Sequence, residues 1–368
     1  MKEKKCKSSV CRRASIGGQA LMEGIMMRGT EKSAMAVRRP NGTIFFEEEE
    51  NEKKARPKIL KAPFIRGVVG FIDSMRIGYK YLMRSADIFM EEEAPKADAA
   101  PTADTAGKAP VEQESTSADE PKSTVSTATM AVITVVATVL GVALALLLFF
   151  WLPTFIYQLL ADHVLSEKMA ESRLARSVFE GLFKIVILVT YMALVSLMKD
   201  IRRTFMYHGA EHKTIFCYEK GMPLTVENVR AQRRFHPRCG TSFLILMLLV
   251  SIVIGLFIPV QFFGLTGMLN TLVRSAFKIL LIPVMMGVGY ELLKLAGKYD
   301  NIFTRIISAP GMWLQRITVR EPDDGMIECA IMAFVAVMPE AEKAEYLVAQ
   351  STDAAPTEAG ENTDEISK

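Results

Sequence analysis

The stretch YHGAEHK, residues 207–213, places His208, Glu211 and His212 within five residues. Imidazole nitrogen is a common ligand for divalent transition metals, and positions i and i+4 of an α-helix share a face, so His208 and His212 can offer two ring nitrogens to one cation. Glu211 lies close enough to take a proton from a water held there. Three of the four histidines, His208, His212 and His236, fall with Cys217 and Cys239 inside a window of 32 residues. The string HPRCG contributes His236 and Cys239, an imidazole and a thiol that suit zinc. Its Pro237 and Gly240 predict a fixed turn. The expected site is a divalent metal, zinc by ligand type, on His208 and His212. His236, Cys239 or Glu291 completes it, and Glu211 is the general base. A second reading of the same residues is a hydrated helix end beside a membrane, where His208, Glu211 and Lys213 pair with Arg202, Arg203 or lipid phosphates.

The order of His208, Glu211 and His212 also fits the H-x-x-E-H pattern of inverted zinc proteases, although Gly209 between them lowers helix propensity. Glu291, in GVGYELLKLAGK, stands at the end of an apolar segment, where an ionisable residue is a functional candidate; its other reading is an ion pair with Lys294 or Lys298. The glycine-rich opening IGGQALMEGIMMRG sets Gly17, Gly18, Gly24 and Gly29 around Glu23 and Arg28. Its spacing matches neither a P-loop nor a dinucleotide fingerprint. Glu23 and Arg28 are candidate polar contacts to a ligand approaching that backbone, or the glycines serve tight packing of a small β element.

These residues must be positioned by a chain that is half hydrophobic yet 23% charged over 368 residues, so its apolar residues must be concentrated. They are. Residues 129–160, 179–198, 243–263 and 277–296 are each long enough to cross a hydrocarbon core of about 30 Å. The expected fold class is therefore mainly α, a polytopic membrane protein with four transmembrane helices, a small N-terminal α+β cytoplasmic element and a cytoplasmic loop and C-terminal region. The basic start is followed by no apolar h-region, which argues against a cleaved secretion signal. A net charge of +3 gives no ground for nucleic acid as a partner. Five scattered cysteines, an odd number, indicate no disulfide framework and fit a reducing compartment.

Residues 199–240 carry nine Lys or Arg, while 161–178 hold Lys168, Arg173 and Arg176, and 264–276 hold only Arg274. The positive-inside rule puts the His/Cys loop, taken as 199–242, in the cytoplasm, and four crossings put both termini there too. Residues 1–90 are expected to form a β-hairpin turning at Pro40-Asn41-Gly42, then an amphipathic helix with Phe64, Val68, Phe71, Met75, Tyr79 and Leu82 on one face. That helix packs on its own domain or lies on the membrane surface. Residues 91–128 read as a disordered linker and 350–368 as a disordered tail. Transmembrane helices 1 and 2 fall in 129–198, helices 3 and 4 in 243–296, and a C-terminal cytoplasmic segment in 297–349. In the last, Pro322, Asp323 and Asp324 signal a helix start before an apolar run too short to span a bilayer.

The motifs GGQALMEGIMMRG (17–29), YHGAEHKTIFCYEKG (207–221), LTVENVR (224–230), HPRCGTSF (236–243) and EPDDGMIECAI (321–331) resemble those of a bacterial membrane-protein family of unknown function, the DUF1385 or YqhQ-like family. That family is sometimes labelled a predicted metal-dependent enzyme. The likeness covers nearly the whole chain outside the linker and tail. It implies a multi-pass protein of the bacterial plasma (inner) membrane and names no substrate. The expected function is a metal-dependent hydrolase with a cytoplasm-facing site. The alternative is a non-catalytic membrane scaffold or partner-docking protein; four helices without an internal repeat are few for a small transporter. Expected partners are the lipid bilayer and a protein partner or homo-oligomer.

Overall fold

The computed structural model describes residues 15–51, 57–93, 127–237, 239–298, 301–340 and 342–344. Most of the expected linker, all of the expected tail, Cys6 and Cys11 lie outside the described residues. The chain divides into two compact units, one of Met1–Glu93, Tyr191–Leu246 and Met286–Lys368, the other of Ala94–Thr190 and Met247–Met285.

The first unit begins with an antiparallel four-stranded meander: β1 (Gly17–Leu21), β2 (Gly24–Arg28), β3 (Lys32–Arg38) and β4 (Ile44–Glu50), in that spatial order. The expected hairpin is the β3–β4 pair, in register from Arg38↔Ile44 to Lys32↔Glu50, with Gly42 at a positive φ of 86° in its turn. The glycine-rich opening forms the β1–β2 hairpin, with Glu23 at its tip. Side chains alternate between faces along a strand. Accordingly Ile25, Met27, Ala34 and Ala36 join one core cluster, and Leu21, Met26, Met35 and Val37 join another.

Helix α1 (Ile65–Glu93) covers the second face through Tyr81 and Ile88. Its Tyr81 hydroxyl donates to Glu49 at 3.1 Å, and Lys80 pairs with Glu49 at 2.5 Å. The stripe expected to be apolar points elsewhere: Phe64, Met75, Tyr79 and Leu82 are all exposed. The contacts of α1 with the sheet therefore come from residues that the helical pattern did not single out.

Helix α2 (Thr127–Leu146) runs through a π-helical turn, Leu147–Trp151, into α3 (Leu152–His163); α4 (Glu167–Ala170) and α5 (Arg173–Val195) follow. Val132–His163 and Arg173–Val195 are long and apolar enough to cross a membrane. Helices α6 (Lys199–Glu219) and α7 (Val226–Arg230) occupy much of the segment expected to be a loop. Then come α8 (Gly240–Gly255), α9 (Gly267–Leu280), α10 (Ile282–Lys298), α11 (Ile302–Thr318) and α12 (Asp324–Ala336). Gly267–Leu280 and Ile282–Leu295 are apolar enough to cross a membrane only when taken together, and they are bent by 46° at a break beside Pro283, the geometry of a broken span or of a re-entrant loop. Gly240–Gly255 is a shorter apolar helix. Among the described residues two helices are thus long and apolar enough to cross a membrane, or three if the bent pair is one span, and four are not shown.

Helix α12 begins where the sequence indicated: the Asp323 side chain accepts from the Met326 N–H at 2.8 Å. It is a core element, with Met326, Ile327, Ala330, Ala333 and Phe334 buried against the first face of the sheet and against α6.

Candidate metal centre

Helix α6 carries the candidate ligands and is buried along most of its second half, although its sequence is polar. Glu211, His212 and Lys213 are 7%, 2% and 3% exposed. The hydrated helix end is therefore overturned. Polar groups removed from water need partners, and these have them. Lys213 pairs with Glu321 and donates to the Arg230 carbonyl at 2.8 Å. Thr214 donates to the Ala210 carbonyl at 2.9 Å. Gly209 has a packing reason: a β carbon there would overlap the Arg320 carbonyl and lie 3.3 Å from Pro322 Cδ. The Arg320 N–H donates to the Phe205 carbonyl at 2.9 Å, so the chain between α11 and α12 is laid directly against the helix.

His208 Nδ1 lies 2.9 Å from the Thr318 carbonyl, and His212 Nδ1 lies 2.6 Å from the Arg234 carbonyl. A carbonyl only accepts, so each Nδ1 carries a proton and donates it. In a neutral ring that leaves each Nε2 with a free lone pair, the ligand-forming state. His208 Nε2 is 3.1 Å from Cys239 Sγ, and the buried His212 Nε2 has no hydrogen-bond partner. One ligand atom from each of His208, His212 and Cys239 lies within 4.8 Å of the others. Burial pushes the His212 pKa down, which favours the neutral imidazole that ligation requires. Two imidazoles and a thiol are donor types that zinc takes.

Cys239 is held by the expected turn. The Gln315 side chain, on α11, receives the His236 N–H at 2.9 Å and donates to the His236 carbonyl at 2.8 Å. The Thr241 N–H and hydroxyl approach Cys239 Sγ at 3.5 and 3.2 Å. Glu211 is fixed from the sheet: the Gly18 N–H donates to Glu211 Oε1 at 2.9 Å. A β carbon on Gly18 would stand 2.7 Å from the Met26 carbonyl and 3.1 Å from the Glu211 carboxyl, so only glycine allows this approach. Burial pushes the Glu211 pKa up, against the pull of the Gly18 N–H. A cavity of about 340 Å³ lies among Gly17, Gly18, Glu211, His212, His236 and Cys239.

Not every candidate converges there. His236 lines the cavity, its ring centroid 5.6 Å from that of His212, but its Nε2 stands 3.6 Å from Glu219. Glu291 forms a two-pronged ion pair with Arg66, at 2.7 and 2.5 Å, and is not among the clustered ligand atoms. Glu23 pairs with Arg203 and meets the Tyr207 hydroxyl at 3.5 Å. Arg28 ends β2 opposite Ser33. Cys217 is buried against the Met222 and Pro223 carbonyls, and burial pushes its thiol up to about 11, far from a ligating thiolate at neutral pH. The carbonyls of Thr318 and Arg234, the Gly18 N–H and Gln315 were invisible in sequence, because backbone groups and distant amides carry no local motif.

The sequence model of a family described as "Protein of unknown function (DUF1385)" matches residues 62–340. A curated relative from Bacillus subtilis (strain 168), described as "Uncharacterized protein YqhQ", is 33% identical over 324 residues, covering 87% of this chain and 91% of the relative. No solved structure matches the chain.

Proposed function

The chain belongs to the DUF1385 family, and on that premise we propose that it is a membrane-bound hydrolase in which His208, His212 and Cys239 hold a divalent metal, zinc by ligand type, with Glu211 as general base. The observation that carries this reading is the paired orientation of the histidines: both Nδ1 atoms are tied to carbonyls, His208 Nε2 stands 3.1 Å from the Cys239 thiol, and one ligand atom of each of the three residues lies within 4.8 Å of the others. Second-shell bonds of that kind fix ring orientation and tautomer at metal sites. The bound ion would supply Lewis-acid activation of water or of a substrate oxygen. Glu211, anchored through Oε1 to Gly18, would accept the proton that the attacking water releases. The cavity beside it is large enough for a small reacting group.

In this proposal α8 completes a four-crossing topology, with 199–242 and both termini in the cytoplasm of a bacterial plasma membrane. The exposed Met75, Tyr79 and Leu82 of α1 rest on the lipid surface. A cysteine placed in 164–172 should react with an impermeant reagent on intact cells; protection there, with labelling of one in 220–224, would invert the orientation.

The catalytic claim is tested on full-length protein in detergent, reading both metal content and metal-stimulated hydrolysis of p-nitrophenyl esters and phosphodiesters. Glu211→Gln is expected to keep the metal and lose about 10²–10⁴-fold in rate. His212→Ala should lose both. Undiminished hydrolysis in Glu211→Gln removes Glu211 as the base, and metal retention without any hydrolysis favours the non-catalytic scaffold.

A further inference from the structure

The second unit buries charge in α5, which is long and apolar enough to cross a membrane, and in α9, which belongs to the bent apolar pair. Helix α5 sets Arg176, Glu180 and Lys184 at i, i+4 and i+8, and α9 sets Arg274 and Lys278 at i and i+4, so each group forms one helix face. Their exposures are 1%, 4%, 7%, 2% and 3%. Lys278 pairs with Glu180 and donates to Thr154 Oγ1 at 2.6 Å. Arg176 donates to Gln158 Oε1 at 2.6 Å and to the Val260 carbonyl at 3.1 Å. Arg274 donates to the Pro259 carbonyl. Both arginines stand 3.8–3.9 Å from the same Glu180 oxygen, Oε1, which has no hydrogen-bond partner. Lys184 makes no hydrogen bond among the described residues, and its ammonium lies 5.5 Å from the Phe150 ring centroid.

Four buried cations thus face one buried carboxylate. The exposed Asp162, which accepts from Gln158 at 2.8 Å, reaches the cluster only through that amide. A surplus of three positive charges remains, or two if Asp162 is counted. An unpaired buried charge is costly even after relaxation, and membrane proteins keep such charges where another charge, a backbone carbonyl or a polar cavity meets them. Between Ser177, Glu180, Lys184, Ser251 and Lys278 lies a cavity of about 10 Å³, room for one water-sized sphere. The Ser177 and Ser251 hydroxyls spend their protons on the Ile252 and Leu248 carbonyls, each at 2.7 Å. Free donors therefore come from the lysines, three from Lys184 and one from Lys278.

We propose that this cavity is an anion site, holding one anionic atom of about water size against the Lys184 and Lys278 ammonium groups, either a free halide or one oxygen of a lipid phosphate. The site is independent of the histidine cluster. Its test uses the full chain in detergent and sodium gluconate, a strongly hydrated anion with no apolar tail to carry it among these helices, titrated at constant ionic strength with sodium chloride and, separately, with dihexanoyl phosphatidic acid. One arm is expected to give a saturable rise in Tm of roughly 5 °C or more at a hundred times Kd. A chloride response identifies a halide site, and a response to the lipid alone identifies a headgroup site. Lys184→Arg should keep the response. Lys184→Met should abolish it and, with an unpaired charge removed, melt no lower than wild type in gluconate. A wild type that responds to neither titrant overturns the proposal without any variant. So does a response that survives in Lys184→Met, or a Lys184→Met loss of stability that is equal with and without the titrant, which would leave Lys184 a packing role only.

Discussion

Truncating His208 or His212 to alanine is expected to weaken zinc binding by about a hundredfold or more, whereas His236→Ala and Glu291→Gln should each change it by less than about tenfold. Loss of an outer-shell partner alone typically costs 10–100-fold in metal affinity, so loss of a direct ligand should lie at or beyond the top of that range. His208 and His212 each have one ligand atom in the group with Cys239, and Cys239→Ser should fall with them. His236 borders the cavity without joining the group, and Glu291 is held by Arg66. Competition with a chromogenic chelator measures all five variants on one scale. Should His236→Ala or Glu291→Gln cost as much as His212→Ala, the ligand set is wrong even if a metal binds.

Gly209→Val is expected to destabilise the first unit by about 3 kcal/mol or more and to disrupt the histidine pair with it. A β carbon at Gly209 overlaps the Arg320 carbonyl, and backbone cannot rotate aside as a side chain can. Overpacking a dense core ordinarily costs about 1–3 kcal/mol, and a branched side chain against a fixed carbonyl belongs at the upper end. The displaced segment joins Thr318, whose carbonyl orients His208, to Glu321, which neutralises the buried Lys213. Denaturant titration of purified protein reads the stability, and chelator competition reads the site. Unchanged stability would mean that the chain around residue 320 is not packed on α6 as described.

Much of the local structure was legible because it rests on short-range chemistry. Asn41-Gly42 specified the β3–β4 turn, Asp323 specified the start of α12, and His208 and His212 at i and i+4 specified a shared face. Burial was harder to read. The segment holding α6 resembles a solvated loop by composition, since the residues that neutralise it lie far along the chain: Glu321 is 108 positions from Lys213, and Gly18 is 193 from Glu211. Glu291 illustrates the same limit. Sequence offered Lys294 and Lys298 as neighbours, whereas its partner Arg66 lies 225 positions away. In α5 the apolar average concealed Glu180 and Lys184, because counting charge by loops ignores the helical phase that puts them on one face with Arg176. The number of crossings is hardest of all, since α8 has only 16 residues and α9 and α10 meet at a bend.

The measurement that bears most directly on the metal centre is the metal content of wild-type protein purified in detergent without added metal or chelator, set beside the His208→Ala/His212→Ala double variant. About one zinc or other divalent ion per chain is expected in the wild type and close to none in the variant. No metal in the wild type, or an equal amount in both proteins, would contradict it.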